Sequence, residues 1–481
     1  MIHRYVLAGV VLVLAFLVPG AAALAQSIGN QSCPSGKPSP DGSRIQPVPA
    51  GQLSCVLIDA TSETWRFQGD TLYHDNGRGW MPLARFPNLE INDGGQAMMQ
   101  GSCVGTNYRI WYVNGGAGFV PTLPPPQRLT ASPFTNKTQG RSYPSLYSLM
   151  NSGVHKGDRI EVAPLPPGLP IWASSGRVNV SDVTITLAPG AVVGCSVDEA
   201  NAVFPFETPN PPTSGVTITG GEIAYARDLS HGQYRGINFG HAQNTTIADT
   251  YIHDNDFGIE SGGDNGTVTL TNVRLDHNGS GINASTTHNI YLGYGGDPAD
   301  TTHYVIRGGY SVCTNHEGFQ VKLRGPSGSI EDYVAAAPSR HGYTDCTESA
   351  AVDLSCGGDY TLGGSGHGAG IVLELGPKAQ NVGIVRYNQE GKTDNCPKGG
   401  WAKSALVIQN CWLISDAPFD AMVVANADPN AKVTVRGCKI VGNGKWRLIL
   451  GQGVTDGGGN TYYPDRAAAK LAAYPALPPP P

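Results

Sequence analysis

"TIADTYIHDNDFGI" at residues 246–259 is answered by "TLTNVRLDHNGSGI" at 269–282. The alignment pairs Ile247 with Leu270, Ile252 with Leu275, Asn255 with Asn278 and Ile259 with Ile282, each 23 residues on. Other segments echo in the same way. "VTITGG" at 216 returns as "YVIRGG" at 304, and "LVIQNCWLI" at 406 returns 27 residues later as "VTVRGCKIV" at 433. Each unit alternates aliphatic and polar residues over short runs, then breaks at Asn, Gly or Asp, with no helical spacing. One such unit cannot bury its inward aliphatics alone; stacked on the next, it can. A leucine-rich repeat would need its Leu/Asn consensus, which is missing, and a propeller would need longer units. The recurring Asn255, Asn278, Asn315 and Asn410 suit left-handed turns and asparagine ladders between coils. The expected fold is all-β, a right-handed parallel β-helix (solenoid) over 140–455 with a small β-rich N-terminal module.

Outside the solenoid the chain divides by composition. Residues 1–25 carry Arg4, the apolar run "VLAGVVLVLAFLV" and "ALA" before Gln26, the pattern of a secretory signal peptide. Residues 26–120 read as short strands, with "TWRFQGDTLYHDNGRGWMPL" alternating around two glycine-containing turns and "YRIWYVNGGAGFV" repeating the pattern. Residues 121–139 begin with "PTLPPPQRLTASP", an extended linker, and 456–481 form a C-terminal tail ending in "LPPPP". "SYPSLYSLMNSGVHKGDRIEVAP" at 142–164 fits a short amphipathic helix capping the open end of the solenoid, followed by its first strand at "DRIEV".

The formal charge is −6, and loss of the leader removes one cation and no acid, leaving 31 against 38, or −7. That balance, without a basic tract, argues against nucleic acid, and no later segment can span a bilayer. Ten cysteines in an exported chain imply disulfides, with Cys346–Cys356 the favoured local pair. A secreted monomer is expected.

Four fragments, "HNIYLG" (288–293), "EGFQVKLRG" (317–325), "AAVDLSCGGDYTLGG" (350–364) and "LELGPKAQN" (373–381), carry a family resemblance. Taken in order, they resemble secreted bacterial right-handed parallel β-helix proteins of the pectate-lyase-like superfamily, over roughly residues 140–450. In such relatives the second motif reads like "GHxxKSR", so Lys322 and Arg324 match while Phe319 and Leu323 depart. The third reads like "IDLPNGG"; here Asp353 and the glycines are kept and the Pro-Asn is lost. The resemblance implies a carbohydrate-directed protein. Lyases, hydrolases, epimerases and plain adhesins share the fold, so the residues must choose.

Only 15% of the chain is charged, yet "NHEGFQVKLRG" (315–325) holds His316, Glu317, Lys322 and Arg324. On a strand Lys322 and Arg324 share one face. Elimination across a uronic acid needs its carboxylate neutralised, a base for the C5 proton and an acid for the leaving oxygen. The candidate catalytic residues are Lys322, Arg324, His288 and Tyr291; the candidate substrate-binding residues are His316, Glu317 and Asp353. His288 and Tyr291 have odd spacing and converge only if the chain turns near Asn289. Asp254, Asp256, Asp264 and Asp276 lie near coil turns, where they bind calcium or stabilise the turns themselves; no other cofactor is implied. Bland readings exist for each residue: a solvated Lys/Arg face, a turn histidine, a surface ion pair through Glu317. "SGHGAG" (365–370) echoes a polygalacturonase motif, but in the wrong order and without the acidic elements hydrolysis needs. The sequence thus points to a polysaccharide lyase acting on an acidic extracellular polysaccharide. The alternatives are a C5-epimerase or hydrolase on the same fold, or a non-catalytic glycan-binding β-helix using the aromatic N-terminal module (Trp65, Tyr73, Trp80, Trp111, Tyr112).

Overall fold

The 23-residue echo is a stacking register. Ile247 lies beside Leu270 and Ile252 beside Leu275 on adjacent parallel strands. The computed structural model describes, within residues 1–132, the backbones of seven strands. Beyond them it describes 133–143, 146–164, 171–172, 177–194, 202–206, 212–224, 226, 235–253, 255–263, 266–278, 288–293, 300–314, 319–337, 351–364, 370–377, 383–388, 404–417, 421–426, 432–442, 447–450 and 454–471. The chain falls into two compact units, one of Met1–Ser132 with Leu165–Ile171, the other of Pro133–Pro164 with Trp172–Pro481.

In the first unit the described strands are antiparallel. Thr64–Gln68, Thr71–Asp75 and Trp80–Arg85 form a three-stranded meander, and Leu53–Ile58 pairs with Arg44–Pro47 and Tyr108–Asn114. The meander is the one that the glycine turns of 64–83 imply.

The second unit is a parallel β-helix. Its coils contribute in turn to sheets of 13, 11 and 9 strands. Along the first sheet one inward column runs Ile160, Ile185, Ile218, Ile247, Leu270, Ile306, Ile330, Leu362, Ile408, Val435. All ten are buried. A fully buried aliphatic of this size contributes roughly 1.5–3 kcal/mol, and the column continues from coil to coil, so no coil is stable by itself. Left-handed residues make the sharp corner between first and second sheets: Asp249, Asn272, Asp332 and Asn410 all have φ near +50°. Asn255 and Asn278 do a different job. Buried inside, Asn255 donates to Asn278 at 2.9 Å and Asn278 to Asn289 at 2.8 Å. Gly258 makes room for this ladder, since a Cβ there would sit 3.0 Å from the Asn278 amide nitrogen.

Two sequence expectations need correcting. Ile259 does not stack on Ile282; its register partner is Ile290. Eight residues are inserted in that coil after the asparagine, so the third sheet is phased by 31 residues where the first two are phased by 23. The solenoid also runs past 455. Val454–Asp456 and Thr461–Tyr463 are strands of the first and second sheets, and Ala469 and Leu471 pack against Val372, Ile414 and Val441. At the other end the helix Leu146–Ser152 buries Leu146 and Leu149 just ahead of the first parallel strand, Arg159–Val162.

Cys411 and Cys438, the matched positions of the 27-residue echo, form a disulfide. Of the expected Cys346–Cys356 pair, Cys356 is disulfide-bonded and Cys346 lies outside the described residues. The leader also lies outside them. Among the described residues no helix is long and apolar enough to cross a membrane.

Candidate functional site

The 31-residue phase of the third sheet brings the polar residues together. Its outward column runs Asn238, Glu260, Tyr291, Lys322, Asp353, Arg386 on six successive strands. Neighbours in such a column are about 4.8 Å apart along the solenoid. Three residues earlier in each coil stand Arg235, Phe257, His288 and Phe319, a second row beside the first.

The two rows interlock. The Lys322 ammonium lies 3.6 Å from Asp353 Oδ2, 5.7 Å from the centre of the Tyr291 ring and 5.2 Å from that of Phe319. Arg324 follows the strand Val321–Leu323 and sits over Tyr291 at 5.3 Å; Arg386 sits over Phe319 at 5.1 Å. At the other end the Arg235 guanidinium bonds to Glu260 and lies over Phe257. Asp353 is only 1% exposed; Ser355 donates to its Oδ2 at 2.7 Å, and its Oδ1 has no hydrogen-bond partner among the described residues.

His288 and Tyr291 do converge, with ring centres 5.3 Å apart. The turn that allows it is the one at Asn289, whose side chain is taken into the interior ladder and bonds to Ser311. The Phe319 backbone N–H donates to His288 Nδ1 at 2.8 Å. Burial, then Lys322 and Arg324, hold the imidazole pKa well below its usual range. His288 is therefore neutral with its proton on Nε2, a hydrogen-bond donor.

Of the residues singled out in the sequence, Lys322, Arg324, His288, Tyr291 and Asp353 share this face. His316 and Glu317 lie outside the described residues, as do residues 365–369 of "SGHGAG" and the side chains of Trp65, Tyr73, Trp80, Trp111 and Tyr112. Sequence reading missed Arg235, Phe257, Glu260 and Arg386. Glu260, Tyr291, Lys322 and Asp353 are each 31 residues apart, a signal hidden by the 23-residue period of the other sheets.

The calcium candidates divide. Asp254 and Asp264 lie outside the described residues. Asp256 is buried, and Asp276 accepts from the Tyr251 hydroxyl at 2.8 Å while pairing with His277. Among the described residues no group of three or more His, Cys, Asp or Glu is placed to hold a metal ion.

No family model matches the chain, and no curated protein matches it. A solved structure similar to it is the catalytic unit of a thermostable GH87 alpha-1,3-glucanase from Streptomyces thermodiastaticus strain HF3-3. The two share 11% identity over 86% of this chain and 85% of that one, with a TM-score of 0.34. So loose a likeness does not speak for activity. The face itself has to.

The column also limits the chemistry. Glu260 and Asp353 are three strand steps apart, roughly 14 Å, whereas a glycosidase pair stands about 5–9.5 Å apart. These two carboxylates cannot flank one glycosidic bond. Cations beside a tyrosine are better suited to holding an anionic sugar and moving protons on it.

Proposed function

We propose that the third sheet binds a uronate-containing extracellular polysaccharide and cleaves it by β-elimination. The observation that carries the reading is the face just described. Among its described side chains are four cations, Arg235, Lys322, Arg324 and Arg386, against two carboxylates, on a chain of formal charge −6. A positive face on an acidic protein selects an anion. The disulfide between Cys411 and Cys438 agrees with an exported chain.

In this reading Arg324 holds the substrate carboxylate in its planar fork and stabilises the negative charge that develops as C5 loses its proton. Lys322, as the free amine, takes that proton; His288 cannot, because its Nδ1 already accepts from Phe319. The C4–O bond then breaks, its electron pair leaves on the oxygen, and C4=C5 forms. Tyr291 gives its hydroxyl proton to that oxygen, and solvent afterwards returns a proton to Tyr291 and takes one from Lys322. Asp353 and Ser355 orient the ammonium. His288 Nε2–H is a fixed donor beside Tyr291.

The test is a panel of acidic polysaccharides, followed by near-ultraviolet absorbance of the unsaturated uronate. Lys322→Ala and Arg324→Ala should each lower turnover by about 10²- to 10³-fold. No absorbance, no epimerised residues and no loss of viscosity on any polymer would end the enzyme reading.

A second reading is a non-catalytic glycan-binding face. The pairing of Lys322 with Asp353 and of Arg235 with Glu260 favours it, since such a ladder satisfies itself without reaction. Tight binding of an acidic polymer with no product over long incubation would select it.

A further inference from the structure

The charges of this face are unevenly placed along the solenoid axis. On the strands Arg235–Asn238 and Phe257–Glu260 the described side chains include one cation and one carboxylate, Arg235 and Glu260, bonded to each other. From Val321–Leu323 to Val385–Asn388 they include Lys322, Arg324 and Arg386 against Asp353. Tyr291 stands between the two halves, one strand from Glu260 and one from Lys322.

The halves suit different sugars. A bonded Arg–Glu pair offers both N–H donors and carboxylate acceptors, which match the hydroxyls of an uncharged sugar. A uronate placed there would bring its carboxylate against that of Glu260, and like charges at that range repel. The cationic half favours a carboxylate. Elimination makes the same division: only the ring that loses its C5 proton needs an acid group, and the sugar that departs with the C4–O oxygen needs none.

We propose that the groove takes a polymer in which uronate alternates with neutral sugar, the uronate over Arg324 and Arg386, the departing neutral sugar over Arg235 and Glu260, with cleavage beside Tyr291. This rests on the elimination reading and adds which side of the broken bond carries charge. Glu260 is then a specificity residue that rejects homopolymers of uronate.

The experiment compares the full-length protein on alternating uronate–hexose polymers and on homopolyuronates at equal uronate concentration. The alternating polymers should be cut with at least about tenfold higher kcat/KM. Glu260→Gln should narrow that gap by raising the rate on homopolyuronate, with circular dichroism confirming the fold. A second variant tests the same charge without touching the Arg235 pair. Asn238 is the register partner of Glu260, and its Oδ1 accepts from the Gly240 N–H, a bond that an aspartate keeps. Asn238→Asp should widen the gap. Equal rates on the two polymer classes, or a gap that neither variant moves, would overturn this inference and leave the elimination reading standing. Absorbance on neither class would remove the elimination reading and this inference with it.

Discussion

The Phe319 N–H donates to His288 Nδ1 at 2.8 Å, and that bond fixes which way the imidazole can act. Burial, Lys322 and Arg324 keep the folded ring neutral well below its usual pKa. In the unfolded chain the ring takes up a proton near pH ~6.5. The folded form is thus favoured fully above that pH and progressively less as pH falls through it. Between about pH 7 and 5.5 this one ring should remove roughly 1 kcal/mol of stability. His288→Asn keeps an acceptor for Phe319 and removes the titration. Urea unfolding of wild type and variant at the two pH values measures the difference, and identical pH dependence would contradict the assignment.

Lys322 and Asp353 are not equal partners. Asp353 is 1% exposed and the Lys322 side chain 12%, so the ammonium can turn toward water and the carboxylate cannot. Lys322→Met leaves a buried carboxylate without that cation and should cost about 3 kcal/mol or more. Asp353→Asn should cost less. Lys322→Met combined with Asp353→Leu should regain part of the loss, because an apolar pair needs no desolvation. Chemical denaturation of the three variants gives the order, and a larger loss for Asp353→Asn would refute this account of the pair.

The fold was legible because its driving pattern is local. Ile247 over Leu270 and Ile252 over Leu275 can be counted off the sequence, and both registers are observed. The site was legible only in part. Lys322 and Arg324 stood out by composition, and the turn at Asn289 was needed to unite His288 with Tyr291. Glu260 and Arg386 were invisible because loop insertions change the spacing of the third sheet to 31 residues while leaving the Asn255–Asn278 spacing at 23. Insertions are tolerated at corners, where the chain runs over the surface and closing a longer loop costs little. A period read from the first two sheets therefore misplaces residues of the third. Cys411 and Cys438 follow the opposite logic. Both lie within one 27-residue echo, so equal positions in the repeat were a better guide than a short loop.

The asparagine ladder should be more sensitive than its exposure to substrate would suggest, since it touches none. Asn278 receives the amide of Asn255, donates to Asn289 and to the Ile252 carbonyl at 3.0 Å, and is fully buried. Asn278→Ala removes three hydrogen bonds and opens a cavity between coils. A loss of about 2–4 kcal/mol is expected. The effect should also reach the site, because Asn289 carries the turn that sets His288 beside Tyr291. Thermal melting reads the first effect and polymer binding the second. A melting temperature within error of wild type would show that the ladder is incidental.

Arg466 provides the last test, at the far end of the solenoid. Its Nε and Nη2 grip both oxygens of Asp416 at 2.8–3.1 Å, and Nη2 also reaches Glu374, which is 1% exposed and accepts the Ala337 N–H at 2.9 Å. The segment carrying Arg466 also lays Ala469 and Leu471 over Val372, Ile414 and Val441. Arg466→Met keeps the apolar stem and removes the charge that two enclosed carboxylates face. The loss should be about 3 kcal/mol at neutral pH. Without that cation the buried Glu374 carboxyl favours its protonated form, so its folded pKa lies above the unfolded value and the penalty is relieved as pH falls. The deficit of Arg466→Met relative to wild type should therefore shrink between about pH 7 and 5. Arg466→Lys, which keeps the charge and loses the planar fork, should show a smaller deficit with little pH dependence. Denaturation curves at the two pH values separate these outcomes. A deficit that stays constant with pH in Arg466→Met would mean that the segment is held by Ala469 and Leu471 alone.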